Sequence, residues 1–94
     1  MFDITKYMNK TIEIKAGKEK LDVQEMSCEM WDEVAGEKIK GFVEQAAFLA
    51  RVLSRNTQGV EVKAEEVAEW PRSAVEDCLR MFLTWGEKAQ NDPN

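Results

Sequence analysis

The chain predicts a mostly α fold: a small helical domain with three main helices and a short N-terminal β-hairpin. Three observations carry that prediction. Thr11-Ile12-Glu13-Ile14-Lys15 alternates and is β-branched, Ala16-Gly17-Lys18 supplies a turn, and Lys20-Leu21-Asp22-Val23 returns. Two longer stretches, 37–55 and 71–88, repeat apolar residues at helical spacing. Between them, Trp70-Pro71 marks a joint, because proline biases its predecessor away from helical angles and is welcome at a helix start.

Each element follows from local chemistry. Phe2, Ile4, Tyr7 and Met8 lie in the first ten residues, expected as a short arm or one helical turn packed on the body. The hairpin needs helices beneath it, since an isolated hairpin is marginal in water. Asp22 with Glu25 three residues on has capping-box spacing, so a first helix is expected from Val23 to Ala35. Val23, Met26, Met30 and Val34 would share its inner face, with Trp31 beside them and Gly36 as the stop. The second helix, Glu37 to Arg55, carries Ile39, Phe42, Val43, Ala46, Leu49, Ala50 and Leu53 in a stripe about 120° wide. Asn56-Thr57-Gln58-Gly59 reads as a loop, and Val60-Glu61-Val62 is too short to assign. Residues 63–69 predict a short helix or turn, and Pro71 to Lys88 the last helix. The domain thus divides into an arm (1–10), a hairpin (11–23), a helical body (24–88) and a flexible tail (89–94).

Ninety-four residues suit one domain, and 44% hydrophobic content argues for a folded one. A chain this short buries only about 60–65% of its unfolded surface, so self-association would be a natural supplement. The net charge of −5 disfavours nucleic-acid binding, and the lysines at 15, 18, 20, 38 and 40 read as solvated surface. No stretch approaches the apolar length of a membrane span, and the first residues lack a basic start followed by an apolar run. The expected address is the cytoplasm, where Cys28 and Cys78 are expected as buried thiols rather than a disulfide. With no histidine, no Cys-x-x-Cys and no phosphate-cradling glycine loop, the chain predicts no enzyme, cofactor or metal site.

What remains is surplus hydrocarbon. Around the last helix, Met81, Ala74, Trp85, Cys78, Phe82, Val75, Leu79 and Leu83 span about 200°, wider than a one-sided helix needs. Either the helix is central and covered on two sides, or the flank at Met81 and Trp85 meets a partner. On the second helix, Phe48 and Val52 lie outside the expected stripe with Gly41 on the same back face. Either the arm and hairpin cover that pair or another subunit does. Gly41, Phe48, Val52, Trp70, Met81 and Trp85 are therefore the candidate residues for self-association and partner contact.

Glu65-Glu66-Val67-Ala68-Glu69-Trp70-Pro71-Arg72-Ser73-Ala74-Val75 combines a Glu-rich lead, a Trp-Pro joint and an Ala-containing amphipathic helix. Gln45-Ala46-Ala47-Phe48-Leu49-Ala50-Arg51-Val52-Leu53-Ser54 is a small-residue and Phe-Leu helix, preceded by a hairpin and a capped helix. In this order and spacing the chain resembles the tail assembly chaperones of long-tailed, lambda-like bacteriophages, the minor tail protein G group. It looks more compact than the lambda-type protein, with a shorter linker between the first two helices. The resemblance implies a protein that oligomerises and coats the tape measure protein until tail tube subunits polymerise around it. It further implies action in the host cytoplasm, absence from the mature virion, and a frameshifted fusion past Trp85 that recruits tube protein. A small regulatory adaptor or antitoxin-like protein with one protein partner, and a head or connector component, are the alternatives to which the same surplus surface leads.

Overall fold

The computed structural model describes residues 1–91. Its elements run α1 (Thr5–Met8), β1 (Thr11–Ala16), β2 (Glu19–Gln24), α2 (Cys28–Ala35), α3 (Phe42–Leu53), α4 (Ala64–Ala68) and α5 (Arg72–Asn91). The expected class is the observed one: three main helices, α2, α3 and α5, behind an antiparallel hairpin.

β1 and β2 pair from Thr11↔Gln24 to Ala16↔Glu19 around a two-residue loop. Gly17 takes φ 65° and Lys18 stays at negative φ, the sign pattern of a type II′ turn, whose twist matches that of the flanking strands. β2 runs one residue past the expected end, and this displaces the helix start. Asp22 and Gln24 bind the 55–58 segment instead of capping a helix, and the cap passes to Ser27, whose Oγ accepts from the Met30 N–H at 3.3 Å. α2 therefore begins at Cys28, and Val23 is a fully buried strand residue rather than a helical one.

α2 closes with a Schellman pattern. The Glu37 N–H donates to Val34 C=O at 3.2 Å and the Lys38 N–H to Glu33 C=O at 3.1 Å. The glycine stands one position early: Gly36 has φ −81°, whereas Glu37 takes the left-handed φ of 53°. A side chain in that region costs about 1–2 kcal/mol, part of which glycine's greater unfolded-state freedom takes back. Glu37→Gly is expected to raise the unfolding free energy by about 0.5–1 kcal/mol, read from urea denaturation.

α3 is the central element, packing against β2, α4 and α5. Ala46, Phe48, Leu49, Ala50, Val52 and Leu53 are all buried, and at 100° per residue they occupy about 200° of its circumference. The expected stripe and the supposed back face are thus parts of one continuous buried arc. Its first turn lies outside that core. Phe42 and Val43, expected inside, are 59% and 73% exposed, because the helix begins beyond the packed layer; the Arg72 guanidinium lies over the Phe42 ring, at 5.1 Å. Ile39 precedes the helix and is half-buried.

The Trp70-Pro71 joint separates α4 from α5 as expected, with α5 starting one residue later, at Arg72. Pro71 C=O accepts from the Ala74 and Val75 N–H groups. α5 buries Val75 and Phe82 fully and leaves Cys78, Leu79, Met81, Leu83 and Trp85 half-buried. Its helix continues through Asn91, so residues 89–91 are helical rather than a frayed tail, and positions 92–94 of that expected tail lie outside the described residues. Both cysteines are free thiols, but Cys28 is exposed at the start of α2, contrary to the expectation of burial. Cys78 is half-buried, and burial pushes its thiol pKa up. No helix is long and apolar enough to cross a membrane among the described residues.

Candidate interaction surface

The six candidate residues separate into three groups. Phe48 and Val52 are core: 3% and 0% exposed, so the expected pairing of a second subunit on them is incorrect. Phe48 shares a cleft with Val34, Ile39, Leu79 and Leu83, which places α2 and α5 over the side of α3 that a one-sided wheel leaves open. Gly41 is the exposed N-cap of α3, at φ −96°, ψ 161°, and a Cβ there would meet nothing within 4 Å. It is open surface with no conformational demand for glycine.

Trp70, Met81 and Trp85 are half-buried and border clefts. Trp70 stands with Phe42, Val43, Ala46, Val67 and Val75 around a shallow cleft of about 150 Å³. Met81 and Trp85 flank an open cleft with Ile12 of β1 and with Asp77, Arg80 and Thr84. Trp85 also packs against the buried Phe82 ring, tilted by 57° at 6.5 Å between centroids. Its indole is thus shared between core and surface.

The largest exposed apolar residues lie elsewhere. Met1, Phe2, Ile4, Tyr7 and Met8 project from the arm, with Phe2 at 77% exposure. The expected helical turn is present as α1, but it does not pack on the body. Phe2 stacks on Tyr7 at 5.4 Å, Lys10 sits 5.1 Å over the Tyr7 ring, and the Gln24 side-chain amide donates to Met8 C=O at 3.3 Å. These contacts shape the arm without drying it. Burying any one of these large apolar side chains would contribute on the order of 1.5–3 kcal/mol. The i, i+3 and i+4 pattern of Ile4, Tyr7 and Met8 was visible in the sequence, but pattern alone does not say whether the body has room for it.

An ion pair joins α2 and α3. Arg51 makes a bidentate pair with Glu33, at 2.8 and 2.9 Å, linking α3 to α2. The hydrogen bonds from Arg51 hold Glu33 below the usual carboxylate range; desolvation opposes them, and the charges of Arg51 and then Lys38 add to the lowering. The pair therefore stabilises fully above the ordinary carboxylate value and fades as pH falls through the lower folded value. Arg51→Met should lose stability near neutral pH, and its difference from wild type should shrink towards zero in acid, as followed by thermal melts across pH. Beside this pair, Met30, Ser54, Arg55, Glu61, Lys63 and Glu65 line a broad open cleft. Arg55 Nη2 donates to Glu25 C=O at 3.1 Å, and its Nε is buried without a partner. Among the described residues, no group of three or more Cys, Asp or Glu side chains is placed to hold a metal.

No protein-family model, curated protein or solved structure matches this chain.

Proposed function

We propose that this protein is a phage tail assembly chaperone that associates with itself and holds a tape measure protein until the tail tube forms around it. The observation that carries the reading is the unpartnered hydrocarbon at two places, the arm (Met1, Phe2, Ile4, Tyr7, Met8) and the α3 start (Phe42, Val43). A protein that shields a long helical client needs adaptable apolar surface and no reaction centre. Flexible methionines and stacked aromatics on a tethered arm meet that need, since they can repack on successive client turns. The segment order Glu-rich lead, Trp-Pro joint and amphipathic helix supports the same assignment. The host cytoplasm as its place of action, and recruitment of tube protein through a longer fusion past Trp85, belong to this proposal.

The test is co-expression with the tape measure protein of the same genome. Wild-type chain should move the client from pellet to supernatant and elute with it. Phe2→Ser with Phe42→Ser should abolish this while each shifts the chain's own stability by less than about 0.5 kcal/mol, as exposed positions do. A client that stays in the pellet beside folded wild-type protein overturns the reading.

A further inference from the structure

The two edges of the hairpin are unlike. On the outer edge of β2, Gln24 N–H donates to Arg55 C=O at 2.9 Å, Thr57 N–H to Asp22 C=O at 3.0 Å, and Asp22 N–H to Gln58 Oε1 at 2.8 Å. These bonds fix the direction of the backbone groups: those of Asp22 and Gln24 point away from β1. Their cross-strand partners are Glu13 and Thr11, so the N–H and C=O groups of Thr11, Glu13 and Lys15 point outward from β1. None of these has a backbone partner among the described residues. β1 is six residues long, pairs with β2 without a bulge and contains no proline. Such an edge is a ready template for another strand.

We propose that β1 pairs antiparallel with β1 of a second copy, about a two-fold axis at Ile14, joining two hairpins into one four-stranded sheet. Charge selects this register. Directly opposed residues share a sheet face, so the axis must pass through a residue and not between two. An axis at Glu13 sets glutamate against glutamate, and one at Lys15 sets lysine against lysine. An axis at Ile14 sets Glu13 opposite Lys15 of the other copy, twice, with the outward backbone groups of both residues bonded to each other. It also sets Ile14 against Ile14 on the inner face, where β1 is half-buried. Within one copy, Lys20 reaches Glu13 at 3.2 Å from the β2 side, so the added lysine completes a cation on each flank of that carboxylate. Apolar ground lies beside the open edge: Ala74 and Cys78 face Ile14 across one cleft, and Met81 and Trp85 face Ile12 across another. This deepens the self-association in the chaperone reading by naming its surface. It fails through oligomeric state alone, whereas that reading fails through the client's solubility.

Sedimentation velocity on the full chain over a concentration series should show a monomer–dimer equilibrium. Glu13→Lys should weaken it about tenfold or more, because two attractive cross-strand pairs become repulsive, and adding Lys15→Glu should restore it. Circular dichroism melts check that both variants remain folded. Register is read separately, in a background with Cys28→Ser and Cys78→Ser. Ile14→Cys should form a disulfide dimer on mild oxidation, since a non-hydrogen-bonded pair holds its Cα atoms about 4.5 Å apart, within disulfide reach. Glu13→Cys should not. A strict monomer at the highest attainable concentration, an association indifferent to the Glu13 reversal, or cross-linking through position 13 instead of 14 would each overturn the proposal.

Discussion

Phe48→Ala is expected to lower the unfolding free energy by about 3–5 kcal/mol, the usual result of emptying a large buried aromatic site. A domain of this size has only about 5–14 kcal/mol to lose. The ring is 3% exposed, sits among Val34, Ile39, Leu79 and Leu83, and has the Arg51 guanidinium 5.8 Å from its centroid. Its loss would open a void where α2, α3 and α5 meet. Urea denaturation followed by tryptophan fluorescence measures the effect. Had Phe48 been a subunit contact, truncation would change association and leave the monomer's stability within about 0.5 kcal/mol. Phe42→Ala, on the same helix but in its exposed first turn, supplies that contrast.

Asn56→Ala should cost about 2–4 kcal/mol, from three hydrogen bonds at roughly 1 kcal/mol each with some desolvation left uncompensated. Asn56 Nδ2 donates to the Leu53 and Val60 carbonyls, both at 2.8 Å, and Oδ1 accepts the Val60 N–H at 2.9 Å. The same residue bridges to Val23 of β2. One half-buried amide thus stands in for secondary structure between α3 and α4, while the backbone of Arg55 and Thr57 on either side of it fastens that loop to β2. Ser54 works beside it: its Oγ accepts the Val62 N–H and lies 2.7 Å from the Ala50 carbonyl, to which it donates. Thermal melts of Asn56→Ala and Asn56→Asp separate the contributions, because aspartate keeps only the bond from Val60.

The parts of the fold that were legible are those set by local chemistry. Gly17 places the hairpin turn, Trp70-Pro71 separates α4 from α5, and the apolar spacing marks α3 and α5. Two kinds of error arose where local rules compete with tertiary ones. Asp22 has the side chain of a helix cap, but its place in the ladder opposite Glu13 and its backbone bonds to Thr57 and Gln58 prevail. The wheel of α3 gives angles faithfully, yet it cannot say how many neighbours a helix has. With β2, α4 and α5 around it, the back face became interior, and Phe48 and Val52 went with it. The converse holds at the ends: Phe42 and Val43 have core-like angles but lie beyond the layer that would bury them, as does the arm. Of the candidate surface, Trp70, Met81 and Trp85 remain at the boundary, while Phe42 and Val43, expected inside, are exposed.

The rim of β2 closed by residues 55–58 has a consequence for growth. Gln58 seals it twice, accepting from the Asp22 N–H and donating to the Asp22 carboxylate, both at 2.8 Å. A ribbon with two open margins could recruit copies without end, as fibrils do. Here one margin is already spoken for, so joining at the other halts after a single step and yields a finite, closed pair instead of an endless filament.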